Sequence, residues 1–158
     1  MDEKDNLELL KENYEKVKKK YKLPTFEELD DEFEIRKIDY DSNLIKEIRR
    51  AICNKLQFIS DMLDPILNPH ESLRSTIESN FFNEADIKEM AIFYKRIWHL
   101  LHISVNTSLS SEADEVKFVN DMWLEWPKLK KKAKYFSDKL IESWAQAEKD
   151  DIPLHYTG

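Results

Sequence analysis

Apolar residues recur along the chain at spacings of three and four, which is the period of an amphipathic α-helix. The first apolar stripe covers about residues 3–22. Leu23-Pro24 is expected to end this helix, because the residue before a proline avoids the α region. A short acidic helix follows, in which Thr25 and Glu28 have the spacing of a capping box. Its apolar side comprises Phe26, Leu29 and Phe33.

The longest apolar stripe predicts the central helix of the fold. Its members are Leu44, Ile45, Ile48, Ile52, Leu56, Ile59, Leu63 and Ile66. Asp41 or Ser42 is placed to cap its start, and Pro65 and Pro69 are expected to end it. Ser72 then begins a short helix that carries Leu73, Ile77 and Phe81.

The second half of the chain predicts three further helices. Asn83 caps a helix over residues 84–108 whose apolar residues cover more than half of its circumference. The run Ser108–Ser111 separates it from a helix over residues 112–126. Pro127 fits the first turn of a last helix, which extends to about Gln146 with Ile141 and Trp144 among its inward-facing residues.

The pattern as a whole predicts an all-α fold, a compact bundle of about five or six helices. Residues 1–150 are expected to form a single helical domain, and residues 151–158 a loosely ordered tail. The only glycine is Gly158, which disfavours tight hairpins and glycine-rich nucleotide-binding loops. The nearest candidate strand, residues 33–40, is too short and isolated to build a sheet.

Composition favours a cytoplasmic location without membrane contact. Cys53 is the only cysteine, so neither an intramolecular disulfide nor a site built on several thiolates can form. The N-terminal residues lack the layout of a signal peptide, and no apolar run approaches the roughly 18 residues needed to span a bilayer. A net charge of -7 argues against a main task of wrapping nucleic acid.

Two lysine clusters give the best functional lead. The first closes the first helix, where cations offset the helix dipole; it comprises Lys16, Lys18, Lys19, Lys20 and Lys22. The second opens the predicted last helix, where cations oppose the dipole; it comprises Lys128, Lys130, Lys131, Lys132 and Lys134. One interpretation is ion pairing with the acidic run over residues 27–34. The other is an anionic partner, either RNA or DNA phosphate or an acidic protein surface.

Aromatic residues near the second cluster allow a further interaction. Trp123 and Trp126 lie three residues apart where the two last predicted helices meet. Both can fill the core at that point, whereas an exposed one would anchor a partner protein, since tryptophan is enriched in binding hot spots.

His99 and His102 form the candidate metal site. Their spacing places both imidazoles near one helix face, where they could give two nitrogen ligands to zinc or iron, aided by a carboxylate such as Glu47 or Glu78. Neither Glu-x-x-His nor His-Glu-x-x-His occurs, and a structural role for the pair is the alternative. Cys53 lies within the stripe of the central helix and is interpreted as a small apolar residue. No cofactor is predicted.

Three segments together resemble an uncharacterised family of small all-helical proteins from archaea. They are Leu23-Pro24-Thr25-Phe26-Glu27-Glu28-Leu29-Asp30, Ile48-Arg49-Arg50 and Glu125-Trp126-Pro127-Lys128-Leu129-Lys130. The resemblance spans most of the chain and implies an archaeal source, but it supplies no activity.

The sequence therefore predicts a non-catalytic helical binding module, a subunit or accessory factor of an intracellular protein or ribonucleoprotein assembly. Its predicted partner-binding residues are those of the second lysine cluster and Trp126, and its most expected partner is another protein. The alternative is a metal-binding or enzymatic helical bundle that uses His99 and His102. The surplus of apolar residues over positions 93–101 also allows a homodimer.

Overall fold

The structure, a computed structural model, describes residues 3–150 of the chain, and all regular elements in that range are helical. These elements are α1 (Glu3–Tyr21), α2 (Phe26–Phe33), a 3-10 turn (Ile35–Lys37), α3 (Leu44–Leu67), α4 (Leu73–Phe81), α5 (Glu84–Ser108) and α6 (Glu112–Lys149). Six α-helices confirm the predicted all-α class and helix number. The predicted tail over residues 151–158 lies outside the described residues. Within residues 3–150, every helix is too short or too polar to cross a lipid bilayer.

Side chains cap several helices at the predicted positions. The capping box of α2 is complete: Thr25 Oγ1 accepts from the Glu28 N–H at 3.2 Å, and Glu28 Oε2 accepts from the Thr25 N–H at 2.8 Å. Asn83 Oδ1 likewise accepts from the Asp86 N–H at the start of α5. The prediction for α3 is wrong by one or two residues, because its cap is Asn43, whose Oδ1 accepts from the Lys46 N–H.

Two prolines lie inside helices, contrary to prediction. Pro65 does not end α3, which continues to Leu67. Pro127 does not begin a new helix but lies within α6, a single helix of 38 residues. A proline removes one backbone hydrogen bond from a helix. The side chains of Trp126 and Leu129, on either side of Pro127, are buried.

The chain divides into two compact units, each assembled from separate stretches of sequence. Unit 1 combines the described residues up to Phe58 with His99–Pro127, and unit 2 combines Ile59–Trp98 with the described residues from Lys128 onward. Helices α3, α5 and α6 each contribute one part to each unit. The single domain over residues 1–150 stays a prediction.

Unit 1 buries the apolar sides of α1, α2 and the adjoining parts of α3 and α6. Tyr14 and Phe26 meet edge to face with ring centroids 5.6 Å apart, and Phe33 packs against Trp126 at 4.9 Å. The predicted stripe of α3 is accurate here, since Ile48, Ile52 and Leu56 are all fully buried. Within this core, Tyr14 Oη donates to the carbonyl oxygen of Pro24, which fixes the loop between α1 and α2.

Unit 2 is centred on Phe136 of α6. Its ring stacks on Phe93 of α5 with centroids 6.1 Å apart and lies 6.5 Å from the ring of Phe82. The expectation that Ile141 faces inward is wrong, because its side chain is 65% exposed. Trp144 lies at the edge, where its Nε1 donates to Glu78 Oε1 at 3.0 Å.

Candidate functional site

The second lysine cluster forms an exposed row on α6 of unit 2, called here the lysine row. It comprises Lys128, Lys130, Lys131, Lys132 and Lys134, of which only Lys132 is half-buried. Leu129 and Phe136 occupy the buried side of the same helix segment. Because α6 begins at Glu112, the lysine row lies far from a helix N-terminus and does not oppose the dipole, which corrects the physical argument made from the sequence.

Local acids neutralise only part of this positive charge. Lys134 Nζ donates to Asp138 Oδ1 at 2.8 Å, one turn further along α6. Such an exposed pair on one helix contributes only a few tenths of a kcal/mol, roughly 0.3 to 0.5, and is screened by salt. Lys128 and Lys131 form no ion pair with the described residues of unit 2. The row therefore presents a cationic surface to solvent.

Several acids of the run over residues 27–34 form ion pairs within unit 1. Glu27 pairs with Lys11 at 3.1 Å, Glu34 pairs with Lys37 at 3.0 Å, and Asp30 is held by the guanidinium of Arg36. Although burial opposes it, hydrogen bonds from Arg36 lower the pKa of Asp30. At least half of this acidic run is accordingly compensated within its own unit.

Trp126 belongs to the core of unit 1. The interpretation as an anchor for a partner requires an exposed ring, whereas the Trp126 side chain is only 4% exposed. Its ring packs on Phe33, and its Nε1 donates to Glu32 Oε2 at 2.7 Å. The structure therefore supports the core interpretation of Trp126. Trp123 is half-buried.

His99 and His102 lie on the exposed side of α5 in unit 1. Within the part of the chain that the structure describes, no three residues among His, Cys, Asp and Glu are grouped so that they could hold a metal ion. The two carboxylates considered as aids have other partners: Glu47 pairs with Arg50, and Glu78 accepts from Arg74 and Trp144. A histidine pair alone supplies two of the three or four protein ligands typical of zinc.

A polar network surrounds Cys53 in unit 1. Cys53 Sγ lies 2.8 Å from Ser104 Oγ, which also accepts from Arg49 Nη1 at 2.9 Å. Arg49 Nε in turn donates to Glu115 Oε2 at 3.3 Å. Burial raises the pKa of the Cys53 thiol, although the nearby Arg49 acts to lower it. Because the pKa is raised, the sulfur stays protonated at neutral pH. This network joins α3, α5 and α6 and has the character of a structural link.

A groove along α3 in unit 1 was not anticipated from the sequence. Its volume is about 680 Å³. One wall is α3, which contributes Glu47, Arg50, Ala51, Asn54, Lys55 and Phe58. The other wall is the chain around the 3-10 turn, which contributes Phe33, Glu34, Lys37, Ile38, Asp39 and Ser42.

Phe58 is the most informative residue of this groove, because its side chain is 71% exposed. In the sequence it lies between Leu56 and Ile59, out of phase with the buried stripe of α3. That phase difference is the signal by which sequence reasoning could have found it, since an aromatic residue outside the stripe must face away from the core. The groove itself depends on how the 3-10 turn packs beside α3, which no local pattern reveals.

Comparison of the chain with protein-family models, with curated proteins and with solved structures finds no match.

Proposed function

We propose that this protein is a non-catalytic helical binding module, a subunit or accessory factor of an intracellular assembly, which docks through the lysine row onto an acidic surface of a partner protein. The observation that carries the proposal is the exposure of four lysines along one segment of α6. In a chain of net charge -7, this row concentrates five of the 25 basic residues within seven positions. Like-charge repulsion along the row is relieved when an anionic partner covers it.

The state of the reactive side chains supports binding over catalysis. Burial raises the pKa of Cys53, the opposite of what activates a nucleophilic thiol. Glu47 and Glu78, which could have assisted the histidine pair, are engaged by Arg50 and by Arg74 with Trp144. A reducing cytoplasm as the location, and an archaeal source, are part of the same proposal and are supported by the single cysteine and by the family resemblance.

A protein partner is favoured over nucleic acid by the charge of the whole chain. Nucleic-acid-binding domains are usually basic as a whole, and their affinity arises from many phosphate contacts. This chain carries 32 acids against 25 basic residues. Long-range repulsion would oppose its approach to a polyanion, whereas an acidic patch on a protein requires only local complementarity.

The test is affinity purification of the tagged full-length chain from the cells in which it naturally occurs, followed by mass spectrometry. The proposal expects a defined protein partner that survives nuclease treatment and is released as salt is raised from about 0.1 M toward 1 M, where the Debye length falls from roughly 10 to 3 Å. Reversing Lys128, Lys131 and Lys134 to Glu should weaken recovery of that partner at least about tenfold.

The matched control reverses Lys16, Lys19 and Lys20 to Glu, which changes the charge equally on exposed lysines of α1. Recovery should be unaffected in this variant. Equal loss in both variants would show that net charge, not the lysine row, governs binding. If nuclease treatment abolished the association, the partner would be a nucleic acid and not an acidic protein surface. Undiminished recovery of the partner by the α6 variant would overturn the proposal.

A further inference from the structure

We propose that the groove along α3 in unit 1 is a second docking site, which binds a short segment of another protein that carries an apolar and an acidic side chain at one end and a basic side chain at the other. This site shares no residue with the lysine row, since every groove residue belongs to unit 1 and every residue of the row to unit 2. Three features of the groove support this role: its length, the exposure of Phe58 and the arrangement of charges along its walls.

The α3 wall has the length of a short peptide. Its lining residues follow one another at intervals of one or three positions from Glu47 to Phe58. At a rise of about 1.5 Å per residue, these 11 steps span roughly 16 Å. That distance corresponds to about five residues of extended chain at roughly 3.3 Å each, or to three turns of a helix. Ala51 lies midway, and its small side chain leaves room for a side chain of the occupant.

Phe58 supplies an apolar anchor at one end. An exposed phenylalanine leaves a large apolar area in water, and covering it is favourable roughly in proportion to the area removed. The opposite wall includes the half-buried Ile38 and the buried Phe33, so both walls of the groove contain apolar residues. An occupant with an apolar side chain at this end completes that surface.

The Phe58 end of the groove carries an excess of positive charge. Lys37 lies 3.0 Å from Glu34, and Lys55 comes three residues before Phe58. Lys37 by its hydrogen bond and Lys55 through space both lower the pKa of Glu34, which places the two cations around one acid. One cation more than acid remains at this end, where it favours an acidic residue of the occupant.

The other end of the groove carries an excess of negative charge. Asp39 lies in the turn that precedes α3, where Ser42 Oγ donates to the Asp39 carbonyl oxygen at 2.7 Å. Glu47, in the first turn of α3, pairs with Arg50 one turn later. This end therefore contains two acids, Asp39 and Glu47, and one cation, Arg50. Its net negative charge favours a basic residue of the occupant.

Balanced charge over the whole groove favours polypeptide over nucleic acid. The lining contains three acids and three cations, so a phosphate backbone would meet repulsion from Asp39 and Glu47 as often as attraction. A peptide can match both signs, because its acidic and basic side chains occupy chosen positions. Specificity for such a segment would arise from the polarity of the groove and from Phe58 together.

The experiment uses the immobilised full-length protein and a displayed library of random 12-residue peptides, with the Phe58→Ser variant for counter-selection. Enriched peptides are synthesised with a fluorophore and titrated by fluorescence anisotropy. The proposal expects enriched peptides that share an apolar and an acidic residue near one end and a basic residue near the other. Phe58→Ser should weaken their binding at least about tenfold, comparable to removing a central interface anchor.

A charge-swap experiment tests the polarity of the groove. Lys55→Glu should weaken binding of the selected peptide, and changing the acidic residue of the peptide to lysine should restore binding to this variant but not to the wild type. Leu124→Ser is the matched control, because Leu124 is 80% exposed in unit 1 but does not line the groove. Its peptide affinity should equal that of the wild type.

Three outcomes would overturn the proposal. The first is a library that yields no peptide whose binding depends on Phe58. The second is a fluorescein-labelled single-stranded RNA that binds the wild type but not Phe58→Ser, which would assign the groove to nucleic acid. The third is a self-association in sedimentation velocity that Phe58→Ser abolishes, which would make a second copy of this chain the occupant. Circular dichroism and thermal unfolding verify that each variant is folded.

Discussion

Trp126 Nε1 donates a hydrogen bond of 2.7 Å to Glu32 Oε2, joining α6 to α2 across the core of unit 1. The indole that the sequence offered as a partner-binding residue is thus a structural link. Phe33, the next residue after Glu32, packs its ring on the same indole with centroids 4.9 Å apart. Removing the hydrogen bond while keeping an aromatic ring, together with a control for ring size, separates the polar from the apolar contribution of Trp126.

Trp126→Phe is expected to lower the free energy of unfolding by about 1 to 3 kcal/mol, since a hydrogen bond to a charged acceptor contributes in that range. Urea denaturation followed by circular dichroism measures the change. The control is Trp123→Phe. Because the Trp123 side chain is only half-buried, this substitution should lower the free energy of unfolding by less than Trp126→Phe does. Equal costs at both positions would assign the effect to the smaller ring volume, not to the hydrogen bond with Glu32.

Replacing Pro127 is expected to increase the free energy of unfolding. As an interior residue of α6, it cannot donate the hydrogen bond that a helix would place on the Trp123 carbonyl oxygen. Pro127→Ala restores this bond and helix propensity, and should raise the free energy of unfolding by about 1 to 3 kcal/mol. A decrease would show that the proline ring itself is needed. Pro24→Ala is the contrasting variant, because its ring lies in the loop between α1 and α2.

Arg49 and Glu115 form a nearly buried ion pair, with side chains 9% and 12% exposed. Arg49→Met leaves the Glu115 carboxylate without this guanidinium and removes the donor to Ser104, so a loss of about 3 to 5 kcal/mol is expected. The double variant Arg49→Met with Glu115→Leu should regain part of that loss, because no charge then remains buried. A double-mutant cycle in urea measures the coupling. Additive losses would contradict a direct interaction.

Asp86 should contribute to the stability of unit 2 in a pH-dependent way. The hydrogen bond from Lys139, with help from Tyr135 and against the effect of burial, lowers the pKa of the Asp86 carboxyl in the folded state. The stabilisation is therefore fully present above the unfolded pKa of about 3.9 and is lost as the pH falls through the lower folded value.

Thermal unfolding between about pH 6 and pH 2 checks this sign. Asp86→Asn should be less stable than the wild type at pH 6, and the difference should shrink on acidification. Asp121→Asn is the control, because the exposed pair of Asp121 with Lys117 contributes little. A difference for Asp86→Asn that stays constant over this range would refute the assignment.

The helical architecture could be predicted because it depends on short-range patterns. The stripe through Ile48, Ile52 and Leu56 has the period that buries one helix face, and the spacing of Thr25 and Glu28 permits a capping box whatever the tertiary structure. Such features depend on residues within four positions of one another. Sequence reasoning is strongest at this range.

Pro127 shows where local rules give way to packing. A proline usually marks a helix boundary, and the prediction of a new helix at this position led to a dipole argument for the lysine row. In the structure, the helix continues through the proline, and Trp126 and Leu129 on either side of it are buried. The dipole argument that singled out these lysines therefore does not apply to them.

The groove beside α3 could not be predicted, because its two walls come from segments whose approach is set by tertiary packing. Phe58 was visible as an apolar residue out of phase, yet its neighbours Glu34 and Lys37 are separated from it by more than 20 positions. Pairing of such distant segments depends on the core of unit 1. Only the structure shows that three acids and three cations share one concave surface.

The backbone conformations of Lys22 and Glu34 have a consequence for how this protein tolerates mutation. Both residues follow a helix and adopt left-handed angles, with φ of 54° and 56°. A side chain in this region costs about 1 to 2 kcal/mol that glycine avoids. The only glycine of the chain is Gly158, so neither site has one. Mutation to glycine is damaging within a helix. At these two sites it would be accepted or even favoured during evolution.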